Sequence, residues 1–222
     1  MKLSTIFITS FILLGTLTAN AQQRHFPFGD EIQAFKVRDS IQPPPQHAIL
    51  FVGSSSFRKW TEIQADFPGY TIINRGFGGS TLPDVIHYAN NIIFPYHPKQ
   101  IVIYCGDNDV ASSDTVTAAI VLHRFERLFY LIRKHLPVAN IAFVSIKPSP
   151  SRQTMMPVMD SANAAIKSFL KRRPRTAFID VYHLMLDNTG VPRKDLFVED
   201  MLHMNAKGYA IWQKAIRPYL LK

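Results

Sequence analysis

From residue 48 onward the chain alternates short apolar runs with longer stretches of helical periodicity, and this alternation constrains the fold more than any other feature. Residues 48–52, 71–74, 100–105, 140–145 and 176–180 read as strands. Runs such as Ile49-Leu50-Phe51-Val52 and Ile101-Val102-Ile103-Tyr104 do not alternate with polar residues, so both faces of the sheet should be covered. Helical patterns occupy 57–66, 82–91, 115–135, 155–171 and 206–220. The order predicts an α/β fold with a parallel sheet between two helix layers. Ser113 or Asp114 reads as the cap of the long third helix and Asn205 as the cap of the last, while Pro137 and Pro174 mark helix stops.

Upstream, residues 30–42 carry Ile32, Phe35, Val37 and Ile41 at roughly helical spacing, and Pro43-Pro44-Pro45 ends the pattern. Residues 22–47 therefore read as a preceding helix plus a proline-rich linker. Residues 1–21 read as an export signal: Lys2 opens it, an apolar run fills 6–17, and Ala19-Asn20-Ala21 has the small-x-small form of a cleavage site. That run is short of the ~20 residues that span a bilayer, and no later segment is long and apolar enough to do so. The mature chain is expected to begin near Gln22 and to work in the periplasm or outside the cell.

Loss of Lys2 takes the formal charge from +9 to +8. No basic run exceeds Lys171-Arg172-Arg173 and no nucleic-acid motif surrounds it, so the excess reads as a solvated basic face. With Cys105 as the only cysteine an internal disulfide is impossible, and the histidines show no metal-ligand spacing. Stability must come from the core, which 47% hydrophobic residues suffice to build, and neither metal nor cofactor is expected.

Four blocks carry side chains suited to acyl transfer. Gly53-Ser54-Ser55-Ser56 follows the first strand directly, where a tight turn into a helix raises a hydroxyl at the sheet's edge; serines in such a turn also serve simply as helix caps. Asn74-Arg75-Gly76-Phe77-Gly78-Gly79-Ser80 follows the second strand, and its glycines let a backbone N–H approach a reacting oxygen. It is not a dinucleotide loop, since Thr81 stands where the third glycine belongs. Gly106-Asp107-Asn108-Asp109 follows the third strand and offers a side-chain amide, although these are also the commonest turn residues. Asp200-Met201-Leu202-His203 precedes the last helix, and its spacing lets the carboxylate hold one ring nitrogen while the other faces a serine.

In this order the four blocks resemble the SGNH hydrolases, a branch of the GDSL esterase/lipase family, over about residues 48 to 215. The resemblance implies Ser55 as nucleophile, Asp200 and His203 as its paired acid and base, and an oxyanion hole from Ser55, Gly79 and the Asn108 amide. It also implies a flavodoxin-like three-layer α/β/α sandwich with strand order 2-1-3-4-5 over residues 48–222. Gly-Ser-Ser-Ser replaces the Gly-Asp-Ser-Leu of the family name, as in the subgroup similar to platelet-activating-factor acetylhydrolase subunits. Ser55 is the family's register, with Ser54 and Ser56 as possible substitutes.

The expected activity is hydrolysis of short-chain esters, acetyl esters of carbohydrates first. Lysophospholipid or other lipid-ester hydrolysis is the alternative within the family, and a noncatalytic carbohydrate-binding or interaction module the alternative outside it. Small-molecule or carbohydrate esters would be the partners, and the substrate-binding residues are unassigned. Arg152 and the loop carrying Pro148 and Pro150 are candidates for specificity, because loops after strand ends bind ligands in open α/β sheets.

Overall fold

The computed structural model describes residues 26–222, so the export-signal reading of residues 1–21 lies outside the described residues. Five parallel strands form one sheet in the order β2-β1-β3-β4-β5. They are β1 (Ile49–Gly53), β2 (Ile72–Gly76), β3 (Gln100–Tyr104), β4 (Asn140–Val144) and β5 (Thr176–Ile179). The register aligns Gly53 with Gly76 on one side and with Tyr104 on the other, so the loops after β1, β2 and β3 leave the sheet at one level.

Side chains along a strand point alternately to opposite faces, and the continuous apolar runs feed two cores. Leu50, Val52, Ile101, Ile103, Ile141 and Phe143 pack beneath α1 (Gly29–Ile41), α4 (Leu82–Ile92), α6 (Ala118–His135) and α7 (Met156–Lys171). Ile49, Phe51, Val102, Tyr104 and Val144 face Trp60, Phe67, Trp212 and Ile216 on the other side, beneath α2 (Ser55–Arg58), α3 (Ile63–Asp66) and α8 (Ala206–Ile216). A short helix, α5 (Asp107–Ala111), follows β3 and escapes the periodicity argument because it is only five residues long. The result is the three-layer α/β/α sandwich with order 2-1-3-4-5. No helix among the described residues is long and apolar enough to cross a membrane.

Three local expectations are corrected. The helix read over 57–66 is two single turns, α2 and α3, because Trp60 is drawn into the core and its indole N–H donates to Asp66 Oδ2 at 2.6 Å. The long third helix begins at Ala118 rather than 115. Its cap is Thr117, whose hydroxyl accepts from Ile120 N–H, while Ser113 serves a turn by accepting from Thr115 N–H. The last helix stops at Ile216, ahead of a 3-10 turn containing Pro218. Asn205 does cap it, accepting from Lys207 and Gly208 N–H at 2.9 and 3.3 Å.

Candidate active site

The turn after β1 is built around a glycine that no other residue can replace cheaply. Gly53 has φ +138°, and a Cβ there would lie 1.9 Å from the Tyr104 carbonyl oxygen. That same carbonyl accepts from Ser54 N–H at 3.0 Å, which pins the strand end and sends the chain directly into α2. The three serines then take different environments. Ser54 is buried and its Oγ lies 2.7 Å from Asn108 Nδ2; Ser56 is buried; Ser55 is half-buried and its Oγ lies 3.0 Å from His203 Nε2.

His203 reaches that position from a tight loop ahead of α8. Met201 adopts φ +54°, which folds the loop back so that Asp200 Oδ1 accepts from the backbone N–H of both Leu202 and His203 at 2.9 and 2.8 Å. Asp200 Oδ2 stands 2.5 Å from His203 Nδ1. Partial burial pulls the Asp200 carboxyl upward, but the His203 ring and the two backbone donors outweigh it and hold the group well below the usual carboxylate range. An ionised Asp200 at Nδ1 fixes the tautomer that leaves Nε2 free to accept a proton from Ser55.

The loop is docked from several sides. Val198 N–H donates to the His203 carbonyl, and Ser151 N–H donates to the Met201 carbonyl at 3.1 Å. The Tyr209 hydroxyl on α8 donates to the Ser56 carbonyl at 2.9 Å, joining the histidine's helix to the serine turn.

Gly79 is exposed, and a Cβ placed on it would meet Asn108 Nδ2 at 3.8 Å, so its backbone stands beside the amide. Neither Ser55 N–H nor Gly79 N–H finds an acceptor among the described residues. The Asn108 amide donates to Ser54 Oγ and to the Ser80 carbonyl at 3.2 Å, and its Oδ1 accepts from Arg152 Nη2 at 2.8 Å. Hydroxyl, imidazole, carboxylate, two open backbone donors and an amide thus gather at the ends of β1, β2 and β3. This set can deprotonate a hydroxyl, direct it at an acyl carbon and stabilise the resulting oxyanion.

Sequence reasoning missed four contributors. Ser54 Oγ is an acceptor for the Asn108 amide. Asp107 and Lys147 form a buried pair behind Asn108, with Nζ to Oδ2 at 3.4 Å and Lys147 only 1% exposed. Glu31 on α1 accepts from Gly78 N–H at 3.2 Å and pairs with Arg58 at 2.7 Å, bracing the glycine loop from outside the expected domain. A charged residue next to the loop signals no such contact in the sequence, because these partners are far apart in the chain. No group of three His, Cys, Asp or Glu side chains converges as a metal site among the described residues.

The profile of the GDSL-like Lipase/Acylhydrolase family matches residues 28–211. No curated protein sequence matches the chain. Among solved structures, it is similar to a Streptococcus pneumonia protein provisionally assigned as a platelet activating factor, with 20% identity and TM-score 0.75 over 86% of this chain and 92% of that one. A GDSL-like lipase from Bacteroides thetaiotaomicron is 19% identical with TM-score 0.72, over 85% and 96% of the two chains. A catalytic mutant of an acetylxylan esterase from Geobacillus stearothermophilus is 15% identical with TM-score 0.62, over 81% and 96%. At these identities the likeness establishes the shared fold.

Proposed function

The chain belongs to the GDSL-like Lipase/Acylhydrolase family, a hydrolase acting on ester bonds, and from that premise we propose that it is an exported serine esterase for short-chain acyl esters, acetyl groups on carbohydrates first. The observation that carries the reading is the unbroken line from Asp200 Oδ2 through the His203 ring to Ser55 Oγ, with contacts of 2.5 and 3.0 Å.

In this mechanism Ser55 Oγ attacks the ester carbonyl as His203 Nε2 takes its proton. The carbonyl π electrons move onto oxygen, where Ser55 N–H and Gly79 N–H meet the charge and Asn108 Nδ2 joins them by turning one of its two hydrogens away from Ser54 Oγ or the Ser80 carbonyl. Collapse expels the alcohol, which leaves with the proton from His203, and an acyl-Ser55 remains. Water then attacks the acyl carbon as His203 Nε2 takes its proton, and collapse breaks the bond to Ser55 Oγ, which recovers that proton from His203 as the free acid departs. Ser55, His203 and Asp200 end with the bonds and protons they began with, and the net change is ester plus water to acid plus alcohol.

The preference for short acyl groups draws support from the exposure of the site. Ser55, Met201, Leu202 and His203 are only half-buried, and Gly79 is open to solvent, a setting that offers a long alkyl chain little apolar cover. The fold shared with an acetylxylan esterase adds weight to acetylated sugars. Export rests on the leader-like residues 1–21.

The test is a graded series of 4-nitrophenyl and sugar esters with the mature chain and a Ser55→Ala control, alongside organophosphonate labelling mapped to a residue. Turnover of acetyl esters, lost in the variant, with label on Ser55, is expected. Strong activity on long acyl chains with none on acetate would overturn the substrate reading, and a folded protein that neither turns over esters nor takes the label would overturn the enzyme.

A further inference from the structure

Behind Asn108 lies a buried set of charges that the acyl-transfer steps do not use. Asn108's amide has one end bound by a group that can only donate and the other by a group that can only accept. Arg152 has no acceptor, so the atom 2.8 Å from its Nη2 must be the amide oxygen. A backbone carbonyl has no donor, so the atom 3.2 Å from the Ser80 oxygen must be the amide nitrogen. Ser54 Oγ, which can play either part, does not discriminate between the two orientations. Loss of Arg152 would therefore remove the strongest one-way constraint, and a flipped amide would turn its oxygen toward the developing oxyanion.

Arg152 is itself held. Its Nη1 stands 3.2 Å from Asp107 Oδ2, an ion pair without a directed hydrogen bond, and Asp107 Oδ1 accepts from Asn108 N–H at 3.0 Å, so charge and hydrogen bonds together close a ring through Asp107, Arg152 and Asn108. Burial pushes the Asp107 carboxyl upward, but Lys147 and Arg152 overcome it and keep the group below its ordinary value, so the ring's anchor stays ionised. The neighbouring Ser151 N–H bond to Met201 ties the same turn to the Asp200–His203 loop.

Resting on the esterase reading above, we propose that Arg152 is a positioning residue of this site: it locks the Asn108 amide with its N–H2 end toward Ser54, Ser80 and Gly79. Lysine cannot reproduce the role fully, since a single ammonium lacks the planar fork that reaches Asp107 and Asn108 together.

The experiment is a double-mutant cycle on 4-nitrophenyl acetate hydrolysis with Arg152→Met, Arg152→Lys, Asn108→Ala and the two doubles, each checked by circular dichroism and melting. Asn108→Ala should lower kcat by about 10²- to 10³-fold, the cost of removing one oxyanion donor. Arg152→Met should lower kcat by about 10- to 100-fold with KM nearly unchanged, and Arg152→Lys by less, because the donor is misaimed rather than deleted. In the Asn108→Ala background either Arg152 change should then add no more than about twofold, since the amide it acts through is gone. Losses that multiply in the doubles, or that fall on KM, would overturn the proposal; if Arg152→Met does not fold, the Arg152→Lys arm decides alone. An Arg152→Met enzyme as active as wild type, while Ser55→Ala remains dead, removes this proposal only. Full activity in Ser55→Ala removes the esterase mechanism itself.

Discussion

Two Asp-x-x-His segments stand at the same end of the molecule, Asp180–His183 just after β5 and Asp200–His203 just before α8, and their internal geometry is nearly the same. In the first, Asp180 Oδ2 lies 2.7 Å from His183 Nδ1 and Oδ1 accepts from His183 N–H at 3.2 Å. In the second the corresponding contacts are 2.5 and 2.8 Å. Both are local products of an aspartate bonding the backbone three residues on, a turn that needs no active site to form. The surroundings differ. The His183 side chain is 67% exposed against 17% for His203, and of the two only His203 has a serine hydroxyl at its second nitrogen among the described residues. The dyad is therefore cheap, and its docking against the β1 turn is what could make it chemical.

The largest effects that would sharpen or break this contrast are on turnover. His203→Ala and Asp200→Asn should each reduce kcat by about 10⁴-fold or more, the scale seen when a Ser-His-Asp set loses a member. His183→Ala and Asp180→Asn should stay within about twofold of wild type, since a solvated side chain away from the reacting groups affects little. Steady-state hydrolysis of 4-nitrophenyl acetate by the four variants measures both. If His183→Ala proved as damaging as His203→Ala, the two dyads would have to be functionally linked and the contrast would collapse.

A smaller effect tests the docking. Tyr209→Phe removes the hydroxyl that ties α8 to the Ser56 carbonyl and should cost about 1 kcal/mol, the net value of one hydrogen bond. Chemical denaturation measures that loss. Because the bond joins the histidine's helix to the serine turn, kcat should fall several-fold as well, with KM unaffected. A stability loss with kcat untouched would mean that the β1 turn and α8 hold their relation without Tyr209.

The same pair of dyads shows where sequence stops being informative. Strand positions and the two-faced burial of the sheet were legible, because runs such as Ile49-Leu50-Phe51-Val52 and Ile101-Val102-Ile103-Tyr104 are continuously apolar over a strand's length, a local signal. Asn205 as a helix cap was legible for the same reason. The strand order came with the family resemblance, since periodicity does not say which strands are neighbours. The Asp180 dyad passed unnoticed although its spacing equals that of the other, because spacing cannot show which ring meets a hydroxyl. Nor could it reveal that Ser54 faces Asn108, that Lys147 is buried beside Asp107, or that Glu31 reaches Gly78 across the chain. Those relations depend on how three loops leave one level of the sheet, which is tertiary information. The helix read over 57–66 failed for a related reason: the pull of Trp60 into the core overrides local propensity.

The smallest expected effect concerns acid stability. The hydrogen bonds that His203 and Leu202 give to Asp200 favour its ionised form and hold its carboxyl below the ordinary range, against the upward pull of burial. A carboxyl depressed in the folded state stabilises folding fully above its unfolded value, about 3.9, and loses that contribution as pH falls toward the folded value. Asparagine at this position keeps an acceptor for the backbone donors but has no charge to titrate. The melting-temperature advantage of wild type over Asp200→Asn should therefore be present in full above about pH 4 and shrink below it. Because the Asp200 side chain is 44% exposed, solvent screens the charge and the advantage should be modest even at its maximum. Melting curves of the two proteins taken from pH 7 to pH 3 read the trend, and an advantage that widened below about pH 4 would mean that the buried side of Asp200, not its ring of donors, governs its charge.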